Sequence, residues 1–327
     1  MPTERFTTFA GAINEALTEE MERDSTIFIM GEDVATIEGR WGTTVGMIKK
    51  FGKNRIIDTP INEELFLGVA MGAAQTGMRP IIEFCHGTLP LISASDIFRM
   101  GMWKWIGANK FDLPIVVRVK LGTGFTHLGP ELSSTVISPF LNLLGIKMVA
   151  PSTPYQAKGL FKTALRGNDP IIFFEHVSLY SKLGEVPALK YALPLNLGEF
   201  RKRGGSLSLL SYSNLTDIAE EAARELVNEG IDIEILDLVS LKPLDKNKIL
   251  ETAKKTKKII VLDHEAYDGG GLFATIYTLI KKEMPDAYII PLTTKPMPIP
   301  FGSQEEHILI YKSRVVMSVK EICQSIN

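Results

Sequence analysis

The run Asp58-Thr59-Pro60-Ile61-Asn62-Glu63, continued by Phe66-Leu67-Gly68-Val69-Ala70-Met71-Gly72-Ala73-Ala74, decides how this chain is read. It places the end of a strand and the start of a Gly/Ala-rich helix at Glu63. In α/β folds such junctions carry the chemistry. Gly68 and Gly72 stand one helical turn apart, which leaves room for another backbone to approach closely. A carboxylate beside so apolar a segment needs a reason. One reason is structural, because the helix dipole favours an N-terminal carboxylate. The other is functional, and the rest of the chain has to decide between them.

Outward from this junction, strands and helices alternate. Ile13, Ala16, Leu17 and Met21 follow a helical period, and Thr26-Ile27-Phe28-Ile29-Met30 reads as a buried strand ending at Gly31-Glu32-Asp33. Pro80–Phe84, Pro114–Val119, Lys147–Ala150 and Pro170–Phe174 are further apolar runs of strand length, separated by helix-length segments. This pattern predicts an α/β fold, a doubly wound parallel sheet covered on both faces. Residues 182–205, with Gly184, Pro187, Pro194, Gly198 and Arg201-Lys202-Arg203-Gly204-Gly205, show no clear period and read as a linker. Beyond it a second alternation has strands Ser206–Ser211, Ile231–Leu238, Lys258–Asp263 and Tyr288–Leu292, with helices at 216–229, 245–256 and 272–283. The expected organisation is one domain over 1–181 and a smaller α/β domain over 206–327.

Composition narrows the function classes. The chain has 327 residues, 45% hydrophobic and 23% charged, with a formal net charge of −2. That balance offers no electrostatic case for nucleic acid or an anionic membrane. No apolar stretch approaches the roughly 20 residues of a membrane span, and Met1-Pro2-Thr3-Glu4 lacks a signal peptide's apolar region, so a cytoplasmic location is expected. Cys85 and Cys323 lie in unrelated segments, are expected to be reduced, and suggest no thiolate metal site. Neither a GxxxxGK[ST] cradle nor a GxGxxG turn after a strand is present. Gly269-Gly270-Gly271 opens a helix after Asp263-His264-Glu265; its amides suit an anion, and a tight strand-to-helix connection explains them equally well.

Five runs in order then carry a resemblance: Gly31-Glu32-Asp33-Val34, Asp58 to Glu63, Thr76-Gly77-Met78-Arg79-Pro80, Pro151 to Leu160 and Asn168-Asp169-Pro170, with Asp237-Leu238 and Pro243-Leu244-Asp245 extending it. Together they resemble the β subunit of thiamine-diphosphate-dependent 2-oxo acid dehydrogenases of the pyruvate and branched-chain type. The resemblance implies a transketolase-like pyrimidine-binding domain followed by a transketolase C-terminal-like domain. It implies that Glu63 hydrogen-bonds the aminopyrimidine of thiamine diphosphate, with Ile61 packed beside it and with Cys85 and Leu89 among the cofactor-binding residues. It also implies an α subunit in an α2β2 heterotetramer that holds the diphosphate and its Mg2+, since this chain has no Gly-Asp-Gly, and a lipoyl acyltransferase core as acyl acceptor.

The chain departs from that family on the substrate side. Where the family carries a histidine, Gly129-Pro130-Glu131-Leu132-Ser133-Ser134 has none, at Leu132 or at Ser133. A second family histidine is replaced near Asn142, and the aromatic that packs on the pyrimidine falls near Leu89. His86, directly after the strand Pro80–Phe84, and His127, ahead of Gly129-Pro130, are the candidate catalytic replacements; an incidental loop position is the plain alternative for each. His176 is expected to be structural, and His307 has no catalytic case. The expected function is oxidative decarboxylation of a 2-oxo acid. The alternatives are an acyloin-forming or transketolase-like carboligase subunit, or a non-catalytic β-like scaffold.

Overall fold

The computed structural model describes residues 5–325 apart from 109, 110, 189 and 266. A seven-stranded sheet forms the first half, in the order Ser240–Lys242, Lys147–Val149, Ile171–His176, Val116–Leu121, Arg79–Phe84, Ile27–Gly31, Ile56–Asp58. Every pairing is parallel except the first, where Ser240–Lys242 runs antiparallel to Lys147–Val149. Its central strands Ile27–Gly31, Val116–Leu121 and Ile171–His176 are buried at every position. Burial on both faces is why they read as apolar runs rather than as alternations.

Helices Phe9–Arg23 and Pro154–Arg166 cover one face through Ile13, Leu17, Leu160 and Phe161. Glu63–Gln75 and Ala94–Ile106 cover the other through Phe66, Ala70, Ile97 and Met100. Side-chain caps set two of the starts: Thr8 accepts from the Gly11 amide, and Thr153 accepts from Gln156 just before Pro154. A second, five-stranded sheet has the order Tyr288–Thr293, Lys258–Asp263, Ser208–Ser211, Glu234–Asp237, Glu199–Lys202, the last strand antiparallel. Asn214–Leu226, Lys246–Thr256, Gly271–Glu283 and Lys312–Ser325 are the helices of this half.

Segment 182–205 contributes structure to both halves. Leu183–Glu185 pairs with Phe6–Thr8, and Glu199–Lys202 is the edge strand of the second sheet. Strands of three or four residues are too short to show a period, and their partners lie far away in sequence. At the triple glycine, Gly271 opens the helix Gly271–Glu283 and the buried Asp263 carboxylate faces its first amides, Leu272 and Phe273. Asp263 Oδ1 accepts from the Glu265 amide at 3.1 Å, and its Oδ2 has no hydrogen-bond partner among the described residues. Both cysteines are free.

The first sheet buries charge at its centre. Glu83 lies opposite Arg118, and Lys120 opposite Glu175, on neighbouring strands. Arg118 donates to Glu175 through Nε at 2.6 Å and Nη2 at 2.7 Å, and also to Glu83; Lys120 donates to Glu83, and Tyr180 Oη to Glu175 at 2.7 Å. Burial pushes the Glu83 carboxyl upward, but the Lys120 and Arg118 charges outweigh it and hold the group below its ordinary range.

The two halves share one apolar core and also meet through polar groups. Glu265 accepts from the Ile137 and Ser138 amides at 2.6 and 3.1 Å, and the His176 and His264 rings stack at 6.1 Å. His176 also contacts Thr123 O at 2.8 Å and Ser178 Oγ at 2.7 Å, a structural placement. Burial, with the Asp263 charge beside it, pushes Glu265 up to about 8 from 4.5. A raised carboxyl stabilises the fold fully below pH 4.5, and that contribution is lost as pH rises toward 8. Glu265→Gln keeps an acceptor for both amides without the titration. It should therefore exceed the parent in stability at pH 8, on the order of 2–4 kcal/mol, and match it near pH 4.5. Urea midpoints at the two pH values check this; identical pH dependence in both proteins would contradict it.

Candidate active site

Glu63 is positioned by a strand end and a helix cap. After Ile56–Asp58 the Thr59 amide donates to Gly31 O at 3.1 Å, and Asn62 Oδ1 accepts from the Leu65 amide at 3.0 Å, starting the helix Glu63–Gln75. Glu63 and Glu64 both sit in the first turn, where the helix dipole favours them. Glu64 is exposed, whereas Glu63 is only 5% exposed. Among the described residues, no hydrogen bond or ion pair reaches the Glu63 carboxylate. The helix dipole favours a first-turn carboxylate at the surface as well as inside, so the structural reading does not account for this burial.

A second carboxylate converges on it. Glu32 follows the strand Ile27–Gly31, and Gly31 is required there because a Cβ would meet Glu83 O at 2.6 Å. The close strand contact ends the ladder and turns Glu32 out at the carboxyl edge of the sheet. Glu32 Oε2 accepts from the Cys85 thiol at 3.4 Å, while its Oε1 and the Thr59 hydroxyl are buried with no partner among the described residues. Burial raises the Glu32 carboxyl, and the Glu63 charge raises it further. Burial and the Glu32 charge push Cys85 up to about 12, so the thiol stays protonated and is no nucleophile. Leu89 is buried in the same core as Cys85, and Ile61 is 82% exposed at the rim.

The two candidate histidines separate. His86 is buried beside this cluster, with Nε2 3.1 Å from Arg40 Nη1. Arginine only donates, so Nε2 accepts and the proton is assigned to Nδ1, which faces the Leu132 carbonyl. Burial, with the Arg40 charge, lowers its pKa and keeps the ring neutral. His127 lies elsewhere. It has φ +56°, its Nδ1 is 3.3 Å from Glu305 Oε2, and its carbonyl accepts from Gly302 at 3.2 Å, tying its loop to the second half of the chain. No hydrogen bond or ion pair connects it with Glu63, Glu32 or His86 among the described residues. At the missing family histidine, the buried Ser133 Oγ accepts from the Leu128 amide and meets Thr126 Oγ1, both at 2.8 Å, a loop tie. Asn142 lines a separate cavity of about 420 Å³ with Ser138 and Gly271.

Glu32 and Arg40 are the residues that sequence reasoning did not assign. Glu32 stands after a glycine at the end of a strand that pairs with both Ile56–Asp58 and Arg79–Phe84, so its edge position was readable once those strands were neighbours. Arg40 sits in a loop with no period, and nothing in the sequence marks it. Glu63 and Glu32 together offer unspent acceptors beside an apolar wall. That set suits a flat heterocycle presenting N–H donors.

Comparison with known proteins follows the same lines. Residues 7–182 match the transketolase pyrimidine-binding domain and residues 198–315 the transketolase C-terminal domain. The chain is 40% identical over 316 residues to the pyruvate dehydrogenase E1 component subunit beta of Gracilaria tenuistipitata var. liui, covering 95% of this chain and 97% of that one. It is 39% identical to the Porphyra purpurea subunit, covering 96% of each, and 37% identical to the chloroplastic subunit beta-2 of Arabidopsis thaliana, covering 96% of this chain and 78% of that one. A split gene transketolase, solved as an inactive beta4 tetramer, superposes with a TM-score of 0.73 at 21% identity over 97% of this chain and 98% of that one, a likeness of fold alone. The cytoplasmic location expected above does not stand, because relatives of this similarity include chloroplastic subunits. Compartment is addressed by receptor-read segments rather than by the folded core, so the core carries no such information.

Proposed function

Because this chain belongs to the family of pyruvate dehydrogenase E1 β subunits, built from a transketolase pyrimidine-binding and a transketolase C-terminal domain, we propose that it is the β subunit of a thiamine-diphosphate-dependent 2-oxo acid dehydrogenase. The reaction is oxidative decarboxylation of a 2-oxo acid, with the acyl group passed to a lipoyl carrier on an acyltransferase core. The observation that carries this reading is the buried, partnerless Glu63 at the carboxyl edge of the sheet. Its carboxylate would bind a ring nitrogen of the aminopyrimidine and hold the proton that activates it, a general acid–base role. Glu32 Oε1 is placed to accept a further N–H, and Leu89 and Cys85 supply the apolar wall. The bound cofactor supplies a carbon nucleophile and an electron sink for loss of carbon dioxide. The likeness to E1 β subunits favours this reading over a carboligase or a scaffold.

The other half of the site comes from an α subunit, in an α2β2 assembly, which also holds the diphosphate and Mg2+. Helix Glu63–Gln75 supports this: it buries Phe66, Leu67, Ala70, Met71 and Ala74 within the chain and leaves Leu65 57% and Val69 48% exposed. A Cβ on Gly68 or Gly72 would meet nothing within 4 Å, so among the described residues no intrachain neighbour uses these glycines. Gly68→Leu should leave the isolated chain's stability unchanged or raise it, by up to about 1 kcal/mol of helix propensity, and weaken assembly with the α chain at least tenfold. Equal assembly of variant and parent in sedimentation would place the α chain elsewhere. The function itself is tested by purifying the chain with its natural partner and screening 2-oxo acids, pyruvate and the branched-chain acids among them, with an artificial electron acceptor. Turnover requiring both chains and thiamine diphosphate is expected; a complex that binds the cofactor yet turns over none of these acids sinks the proposal.

A further inference from the structure

Arg40 stands at the crown of loop 33–46, and that loop is tied down along its length. The Asp58 carboxylate accepts from the Ala35 and Thr36 amides at 2.6 and 2.9 Å, the Gly39 amide donates to Asp33 O at 2.9 Å, and Thr44 Oγ1 donates to Val34 O at 2.9 Å. Asn14 Nδ2 reaches the Thr43 and Val45 carbonyls, both at 3.1 Å, and Trp41 packs at 6.3 Å from the Phe125 and Tyr180 rings. Among the described residues, the guanidinium makes one hydrogen bond, from Nη1 to His86 Nε2 at 3.1 Å. Asp33 Oδ2, at 4.0 Å from Nη2, is within ion-pair distance but beyond hydrogen-bond reach.

The partner chosen matters. A carboxylate hydrogen-bonded at the position of His86 would neutralise Arg40 directly; a buried neutral imidazole fixes its direction and leaves its remaining N–H donors unspent, while Asp33 and Glu32 act on its charge without hydrogen-bonding it. The same sheet edge holds two carboxylates, Glu32 and Glu63, whose charges repel an approaching anion. A 2-oxo acid is such an anion, and a planar fork of donors is its chemical complement.

We propose that Arg40, aimed by His86, receives the carboxylate of the 2-oxo acid, so that Arg40 is a substrate-binding residue and His86 a positioning residue rather than a proton donor. This rests on the reaction proposed above. An ion pair to the reacting carboxylate stabilises the bound acid at least as much as the transition state for its loss, so Arg40 serves capture, kcat/KM, and not kcat.

The test uses the complex of this chain with its natural partner, loaded with thiamine diphosphate, and compares pyruvate with acetaldehyde as donors to an artificial electron acceptor. Acetaldehyde lacks the carboxylate and enters at the same oxidation level as the fragment left after carbon dioxide departs. Arg40→Ala should raise KM for pyruvate by roughly 10–100-fold, the worth of charge-assisted hydrogen bonds, with kcat within about threefold and acetaldehyde kinetics changed less than about threefold. Arg40→Lys should recover only part, since the fork is lost. His86→Ala should raise KM for pyruvate several-fold without moving the pH profile of kcat between 5 and 8. Titration of oxamate, an unreactive pyruvate isostere, into the complex by calorimetry should weaken at least tenfold in Arg40→Ala. Unchanged oxamate binding, equal losses with pyruvate and acetaldehyde, or a pH profile displaced by His86→Ala overturns the inference. A parent complex that turns over neither donor refutes the reaction itself, and the oxamate titration then still decides whether Arg40 binds a carboxylate.

Discussion

Glu63→Gln lowers turnover of the complex by roughly 10²–10⁴-fold, the loss typical of a removed acid–base group, while the protein stays folded. Glutamine preserves the shape of the side chain and can still hydrogen-bond, but it cannot carry the charge that holds a proton on a ring nitrogen. Stability should barely change. Glu63 makes no hydrogen bond or ion pair among the described residues, so the variant breaks no side-chain contact and should melt close to the parent. A carboxylate serving only the helix dipole would instead give full activity with a slight loss of stability. Turnover measured with the α chain present, beside a thermal melt of the variant, separates the two.

Arg118→Met should be the most destabilising single change outside the site. Arg118 is fully buried and donates to both Glu83 and Glu175, which are equally buried. Methionine replaces its bulk and leaves Glu175 with the Tyr180 hydroxyl alone and Glu83 with Lys120 alone. Orphaning one member of a buried ion network costs about 3–5 kcal/mol, which lowers the melting midpoint of a domain of this size by roughly 6–20 °C. Replacing Glu175 by glutamine in the same chain should recover part of the loss, because the uncompensated charge is then removed. A single variant within about 1 kcal/mol of the parent would show that the network is not the source of rigidity beneath the site.

Much of this fold is legible in the chain, because its strands are buried on both faces. Ile27–Gly31, Arg79–Phe84, Ile171–His176 and Lys258–Asp263 stand within one or two residues of the apolar runs that announce them. Ser240–Lys242 is different. Three residues carry no period, and the strand leaves its own half of the chain to pair with Lys147–Val149. The buried charges are equally silent in sequence, since Arg118 and Glu83 interrupt apolar strands without saying that they face each other.

The candidate site was legible in part, for the same physical reason. Glu63 is marked by its strand-to-helix junction and His86 by the strand that precedes it, whereas Cys85 and Leu89 come from the family resemblance alone. What the sequence does not carry is burial and pairing across the sheet edge. Glu32 acquires its place from the Gly31 contact with Glu83, and Arg40 from a loop held by Asp58 and Asn14. His127 shows the converse: its local context resembles an active-site loop, yet its ring lies 3.3 Å from Glu305 Oε2, more than a hundred residues away in sequence.

In the proposed function this chain completes a thiamine-diphosphate site through Glu63. The most direct measurement is release of carbon dioxide from a 2-oxo acid by the purified complex of this chain with its natural partner, in parent and Glu63→Gln forms, with thiamine diphosphate and Mg2+ present. Release by the parent, absent without the cofactor and reduced at least a hundredfold in the variant, is the predicted result. Equal release by both forms would contradict it.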